Sequence, residues 1–330
     1  MKLYEEGKLD LDAPFSIYWP SWKNKKDKKN ITLRELLAHQ SGFKPYITFL
    51  KKVVAKRGRI KKRFIKYQPE KGYTTNVYKG IYLNNRFKKK MFKQIKREKV
   101  SDKKTYLYSG IASLIYPEVI KGISGQDYQA YIKKTFYDPL GCSSVGYNPF
   151  SQIFKNNIVP TEIDTVFRKE LVQNYVHDEN AALLGGVSGN AGLFSNAKDL
   201  AIYMQMLLQK GQYNGRRYFE ESTVQEFTRV QYPENNNRRG LGFDKPVIGN
   251  DTLTLNEAYP APKASVDSFG HSGFTGTLVW ADPKFDLVFI FLSNRVYPYR
   301  TQRKIYTLNV RPTLMNVFYE AVEKANGIDK

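Results

Sequence analysis

Phe269-Gly270-His271-Ser272-Gly273-Phe274-Thr275-Gly276-Thr277-Leu278-Val279-Trp280-Ala281-Asp282-Pro283, followed by Leu287-Val288-Phe289-Ile290-Phe291-Leu292, is the stretch that decides the fold. Gly276 to Ala281 and Leu287 to Leu292 are two strand-forming runs, and Asp282-Pro283 between them is a turn signal, so the segment predicts a hairpin. The second run is apolar at every position. A strand with no polar face is buried on both sides, which predicts a central strand covered by helices. Downstream, Leu314, Val317, Phe318, Ala321 and Val322 fall on one helical stripe that stops at Gly327. Upstream, a helix is predicted from Ser195 as N-cap through Leu200, Met204, Leu207 and Leu208 to Gly211. Further helical signals run from Ile111 to Ile123, interrupted at Pro117 and stopped at Gly125, and from Tyr128 to Phe136. Thr32-Leu33-Arg34-Glu35 is a capping-box pattern opening a short helix. Helices in the middle and a sheet-forming part over about 240–330 predict an α/β (α+β) sandwich with a helical subdomain, a single domain over 1–330.

Composition narrows the classes. Hydrophobic residues make up 41% of 330, enough for a real core. The longest clean apolar run, Leu287 to Leu292, is far short of the roughly 20 residues that span a bilayer, so no transmembrane segment is expected. A lone cysteine, Cys142, excludes an internal disulfide and a cysteine-based metal site. His39, His177 and His271 lie far apart without paired ligand spacing, so neither a metal nor another cofactor is expected. Met1 to Lys8 lacks a basic region followed by an apolar one and is no signal peptide. It reads as the last turn of a helix closed by Gly7, either a longer helix or a short N-terminal one.

The net charge of +22 is concentrated. Between Lys44 and Lys104, 22 Lys and Arg stand against Glu70, Glu98 and Asp102, a net +19 in 61 residues. Weak periodicity there predicts an insertion of helices and loops. Such a block invites an anionic partner: nucleic acid, acidic glycan or lipid headgroup. No recognised nucleic-acid motif accompanies it, so nucleic acid is not the expected partner. A solvated basic insertion and a surface holding an anionic polymer stay open.

Four segments resemble one family in order and spacing. Gly7-Lys8-Leu9-Asp10-Leu11-Asp12-Ala13-Pro14 with Ile31-Thr32-Leu33-Arg34-Glu35-Leu36-Leu37-Ala38-His39-Gln40-Ser41-Gly42 is similar to the GKLxLDxPV…ITxRxLLTHTSG stretch of class C-type serine β-lactamases and penicillin-binding-protein-like hydrolases. Tyr108-Ser109-Gly110 stands where that family has Tyr-x-Asn. Gly185-Gly186 through Gly192-Leu193-Phe194-Ser195 resembles its GGxxGxAGLFSTAxDLA helix entry. Phe269 to Gly276, with Asp282-Pro283 and Leu292-Ser293-Asn294-Arg295, resembles FGHTGFTGT…DP…LSNR. The likeness is nearest to the domain that follows a family-3 glycoside hydrolase domain in some exported bacterial proteins.

The resemblance implies an antiparallel sheet flanked by helices and hydrolysis through an acyl-enzyme on an acyl, ester or D-amino-acid amide bond, including β-lactams. It implies a small-molecule or peptidoglycan-like substrate and a parent protein that is exported or periplasmic. Tyr108 matches the family's general-base tyrosine, a phenol useful as a base only if cations beside it favour phenolate. His271 and Ser272, with Gly273, match the Lys/His-Thr/Ser-Gly strand, and the N–H of Phe274 matches one oxyanion donor. Gly110 replaces the amide that would orient the substrate. His39 and His177 match family positions read as structural.

The family's nucleophile, in Ser-x-x-Lys, should lie upstream of Gly7, with two sheet strands before it. The expectation is therefore a domain truncated at its N-terminus and inactive as it stands. Three Ser-x-x-Lys strings occur, Ser41/Lys44, Ser101/Lys104 and Ser195/Lys198, none in the family's context, and three is about what chance yields. Gly270-His271-Ser272-Gly273-Phe274 lacks the final glycine of an α/β-hydrolase elbow. The alternative is a non-enzymatic pseudoenzyme whose basic insertion holds an anionic cell-surface polymer.

Overall fold

The structure, a computed structural model, describes residues 1–55, 58–149 and 157–327. Its first helices are short: α1 (Lys2–Glu5) and α2 (Leu33–Leu37). α2 opens at the predicted capping box. Thr32 Oγ1 accepts from the Glu35 N–H at 3.1 Å, and the Glu35 carboxylate accepts from the Thr32 N–H at 2.9 Å, so two otherwise unpaired donors are satisfied.

The basic segment holds more than helices and loops. It carries a small antiparallel sheet, with β3 (Ile81–Leu83) between β1 (Ile65–Lys66) and β2 (Thr75–Tyr78), and then α3 (Phe87–Arg97). In α3, Phe87, Met91 and Ile95 recur every four residues and are buried. These three join Phe49, Val53, Ile65, Val77 and Leu83 in one core with Leu11, Phe15, Trp22, Leu36 and Phe43. Apolar burial therefore ties the cationic surface to the body of the protein.

In α4 (Tyr116–Ser124), Pro117 is no interruption. It occupies the first turn, where a missing N–H costs nothing, and Gly125, at φ +72°, closes the helix. α5 (Glu179–Leu183) precedes α6 (Ala197–Leu208), and α7 (Glu221–Thr228) follows. The N-cap of α6 is Asn196 rather than Ser195: Asn196 Oδ1 accepts the Asp199 N–H at 2.8 Å, while the Ser195 hydroxyl turns to the Asn196 carbonyl.

The predicted hairpin is present, with one more strand. β5 (Leu278–Asp282) lies between β4 (Phe269–Ser272) and β6 (Leu287–Phe291), all antiparallel. The all-apolar run β6 is therefore an edge and β5 the centre. Among the described residues no strand pairs with the outer side of β6. Apolarity on both faces reports what covers those faces, not what hydrogen-bonds in the plane. Val288 and Ile290 pack with Met204, Leu207 and Leu208 of α6, whereas Leu287, Phe289 and Phe291 pack with Met315 and Tyr319 of α8 (Val310–Ala325).

The stripe predicted for that last helix is not the buried one. α8 buries Arg311, Met315 and Tyr319, and leaves Leu314, Val317 and Phe318 at 40%, 54% and 52% exposure. The buried Asp282 carboxylate, at the end of β5, accepts the Tyr319 O–H at 2.7 Å and the Ser265 N–H at 2.9 Å. A buried carboxylate has to be hydrogen-bonded, and that requirement turns Tyr319 inward. No described helix is long and apolar enough to cross a membrane.

Candidate active site

β4 ends in the residues singled out from the sequence. His271 and Ser272 pair with Val279 and Leu278 of β5, and Gly273 and Phe274 begin the turn, where the Gly273 N–H donates to the Thr277 carbonyl at 2.8 Å. Gly270 precedes them because nothing larger fits. A Cβ there would stand 2.1 Å from the Val279 carbonyl oxygen and 2.4 Å from the Trp280 ring.

The facing wall is the segment that holds Tyr108. His39 anchors it: its carbonyl accepts the Leu107 N–H at 3.0 Å and its Nδ1 accepts the Ser109 N–H at 3.3 Å. The Ser109 hydroxyl donates to the Lys44 carbonyl at 2.7 Å. The His39 and Tyr108 rings pack with centroids 4.3 Å apart. Held this way, Tyr108 meets His271, ring to ring, at 6.1 Å. Two residues far apart in sequence thus share one cleft.

Arg239 stands between them, a residue that sequence reasoning missed. It is 1% exposed. Its Nη2 lies 3.0 Å from His271 Nε2, and its guanidinium carbon lies 5.7 Å from the Tyr108 ring centre. A guanidinium only donates, so His271 Nε2 accepts and the imidazole proton sits on Nδ1, which donates to the Ser272 carbonyl at 2.8 Å. Burial first, and then the Arg239 charge, hold His271 below the ordinary histidine range. Burial first, then Arg239 and His271, hold His39 down to about 3. Partial burial raises the Tyr108 phenol above its ordinary value, against the pull of Arg239. The Arg239 charge does not make it a phenolate.

Asp244 brings Arg239 here. Its backbone bridges Gly270, with N–H to carbonyl distances of 2.7 and 3.0 Å, which lays residues 238–244 along β4. Its carboxylate pairs with Arg238 at 3.0 Å and with Arg239 at 3.2 Å. In the sequence these arginines were two cations among 53 Lys and Arg, and no spacing rule ties either to His271.

At Gly110, where the family has an amide, an added Cβ would meet only Asn190 Cβ, at 3.8 Å. Asn190, from the loop after α5, therefore approaches the empty position by its Cβ, while its amide is taken by other partners: Oδ1 accepts the Ser188 hydroxyl at 2.6 Å, and the Asp178 carboxylate is hydrogen-bonded to the same side chain. Phe274 is 58% exposed, stacks on His177 at 5.5 Å and accepts the Arg295 Nε–H on its carbonyl at 2.9 Å. His177 itself is packed away from solvent, with neither ring nitrogen hydrogen-bonded.

None of the three Ser-x-x-Lys strings forms a helical pair. Ser41/Lys44 and Ser101/Lys104 lie outside helices, and their lysines pair with Glu98 and Glu35. Ser195 precedes α6, and Lys198 is exposed. A serine and lysine three apart share a face only when helical. Among the described residues no group of three or more His, Cys, Asp or Glu could hold a metal.

Comparison with known proteins bears on the same architecture. A family model described as Beta-lactamase matches residues 1–311. The chain is 30% identical over 311 residues to a protein of Escherichia coli (strain K12) named "Putative D-alanyl-D-alanine carboxypeptidase"; the match covers 89% of this chain and 65% of that one. Among solved structures, an octameric penicillin-binding protein homologue from Pyrococcus abyssi superposes with a TM-score of 0.61, at 19% identity, covering 98% of this chain and 64% of that one. A D-stereospecific amidohydrolase from Streptomyces gives 0.53, at 19% identity, covering 86% and 74%. The mixed fold, with antiparallel strands flanked by helices, is thus of the β-lactamase/transpeptidase type, and the chain spans about two thirds of the length of the relatives it matches, 65% of the first. On the family model, which matches residues 1–311, this chain belongs to the β-lactamase family.

Proposed function

We propose that the chain carries the tyrosine and histidine walls of a serine-hydrolase cleft for an ester or D-amino-acid amide of peptidoglycan-like character. The meeting of Tyr108 and His271 at 6.1 Å carries this reading. A carbonyl substrate would lie between them, against the β4 edge. In this reading Tyr108, a phenol with a raised pKa, delivers a proton to a leaving group more readily than it removes one. His271, neutral and donating from Nδ1 to its own strand, holds the strand end in place and moves no proton while Arg239 occupies Nε2.

A polypeptide of these 330 residues is proposed to form no acyl-enzyme, because none of its Ser-x-x-Lys strings forms a helical pair at the site. The test is labelling with a fluorescent penicillin and a fluorophosphonate. The polypeptide alone should not label. Joined to an upstream segment bearing a helical Ser-x-x-Lys, it should, and Tyr108→Phe in that fusion should slow labelling by about 10²-fold or more. A fusion indifferent to Tyr108→Phe would remove Tyr108 from the mechanism. A second reading, a non-enzymatic binding module that keeps the cleft, is favoured by the Arg239 contact that fills His271 Nε2. It predicts that neither form labels.

A further inference from the structure

A second concavity lies apart from the Tyr108–His271 cleft. Trp19, Ser21 and Lys25 form one side of it and Phe92, Lys93, Lys96 and Arg97, all on α3, form the other, around about 470 Å³. That volume is in the range of small-ligand sites. Four of the seven lining residues are cations and none is acidic. Some other cations of this basic surface are matched: Lys88 pairs with Glu118, Lys28 with Asp27 and Lys44 with Glu98. Among the described residues, Lys25, Lys93, Lys96 and Arg97 have no carboxylate partner. Lys93 and Arg97 stand four apart on one helix, a like-charge spacing that destabilises α3 and that a bound anion would relieve. Between the cations lies an aromatic ledge. The half-buried Trp19 and Phe92 rings meet at 5.5 Å, edge to face. Ser21 Oγ is buried without a hydrogen-bond partner.

We propose that this cleft binds an acidic polysaccharide, its carboxylates held by Lys25, Lys93, Lys96 and Arg97 and one sugar ring lying against Trp19. The proposal is independent of the hydrolase reading. Spaced charges beside a single aromatic face suit a uronate chain. Single-stranded nucleic acid calls for a platform on which successive bases stack, and Phe92, its ring perpendicular to that of Trp19, does not extend one. A membrane surface calls for an apolar face that enters the lipid, whereas the apolar face of α3 is committed to the core.

Trp22 and Trp280 are 0% exposed, so a ligand-induced change in tryptophan emission reports Trp19. Titration of the full chain with oligogalacturonate should give saturable binding that shifts the emission and weakens with salt. Lys93→Glu with Lys96→Glu should weaken binding about tenfold or more. Lys62→Glu with Lys71→Glu, an equal charge change on exposed lysines of the same basic segment, should change it less than about threefold. Trp19→Phe should abolish the emission change. Circular dichroism of each variant verifies the fold, and a Lys25→Glu variant, which leaves α3 untouched, should also bind more weakly. Equal losses from the two double variants, or saturation without an emission change, would overturn the proposal. So would tighter binding of (dT)₂₀ or of phosphatidylglycerol vesicles than of oligogalacturonate.

Discussion

At the residue scale, burial first and then one guanidinium set the protonation of the cleft. Arg239 donates to His271 Nε2 and adds to the burial that keeps both His271 and His39 neutral. Arg239→Gln removes that charge while Arg238 keeps its pair with Asp244. The His271 imidazole should then titrate nearer its ordinary value of about 6.5, read from its ring resonances in an NMR pH titration; an unmoved midpoint would show that burial alone sets it. The three histidines also fix a direction for stability. All three are held below their ordinary values in the folded chain, so the unfolded chain takes up protons first as pH falls. Their contribution is complete above about 6.5 and is lost downward from there, for His39 toward about 3. The slope is up to about 1.4 kcal/mol per pH unit for each histidine. Urea unfolding midpoints should therefore fall from pH 7.5 to 5.5, and a flat or rising midpoint in that window would contradict the assignment. Tyr108 and His271 were legible in the sequence through short motifs of fixed local spacing. Arg239 was not, because it reaches the cleft across a non-local contact, the Asp244–Gly270 bridge.

At the scale of elements, local chemistry predicted starts and stops better than faces. The Thr32–Glu35 box, the Gly125 closure and the 278–291 hairpin all depend on neighbours in sequence, and all are present. The faces of α8 depend on Asp282. Tyr319→Phe deletes the hydroxyl that donates to this buried carboxylate at 2.7 Å. A hydrogen bond to a charged group contributes roughly 1.5–3 kcal/mol, and the variant should lose about that much in chemical denaturation. A loss below about 0.5 kcal/mol would mean that the Ser265 donors suffice and that another contact turns the helix.

At the scale of the whole molecule, the sheet is covered on its faces and open at one side. β6 has an unpaired outer edge among the described residues, and beside it α8 leaves Leu314, Val317 and Phe318 exposed, with Phe318 packed on Phe289 of β6 at 5.5 Å. An apolar strand edge beside exposed apolar side chains is a template for association. A polypeptide of these 330 residues should therefore bind an apolar-surface dye at neutral pH and shift to larger species in size-exclusion chromatography as concentration rises. A dye-silent monomer with one sharp thermal transition would show that this side is protected.

The amino-acid sequence alone carried the family likeness, the hairpin, the Thr32 capping box, the Gly125 stop and the motifs of Tyr108 and His271, because each is written in residues close enough to impose a pattern on one another. The tertiary structure alone decided which strand is central, which face of the last helix is buried, and that a guanidinium 32 positions upstream fills the histidine's acceptor. Those outcomes rest on hydrogen bonds and buried charges between distant segments. A buried carboxylate or guanidinium takes whichever partner the fold brings within about 3 Å, and periodicity carries no record of that choice.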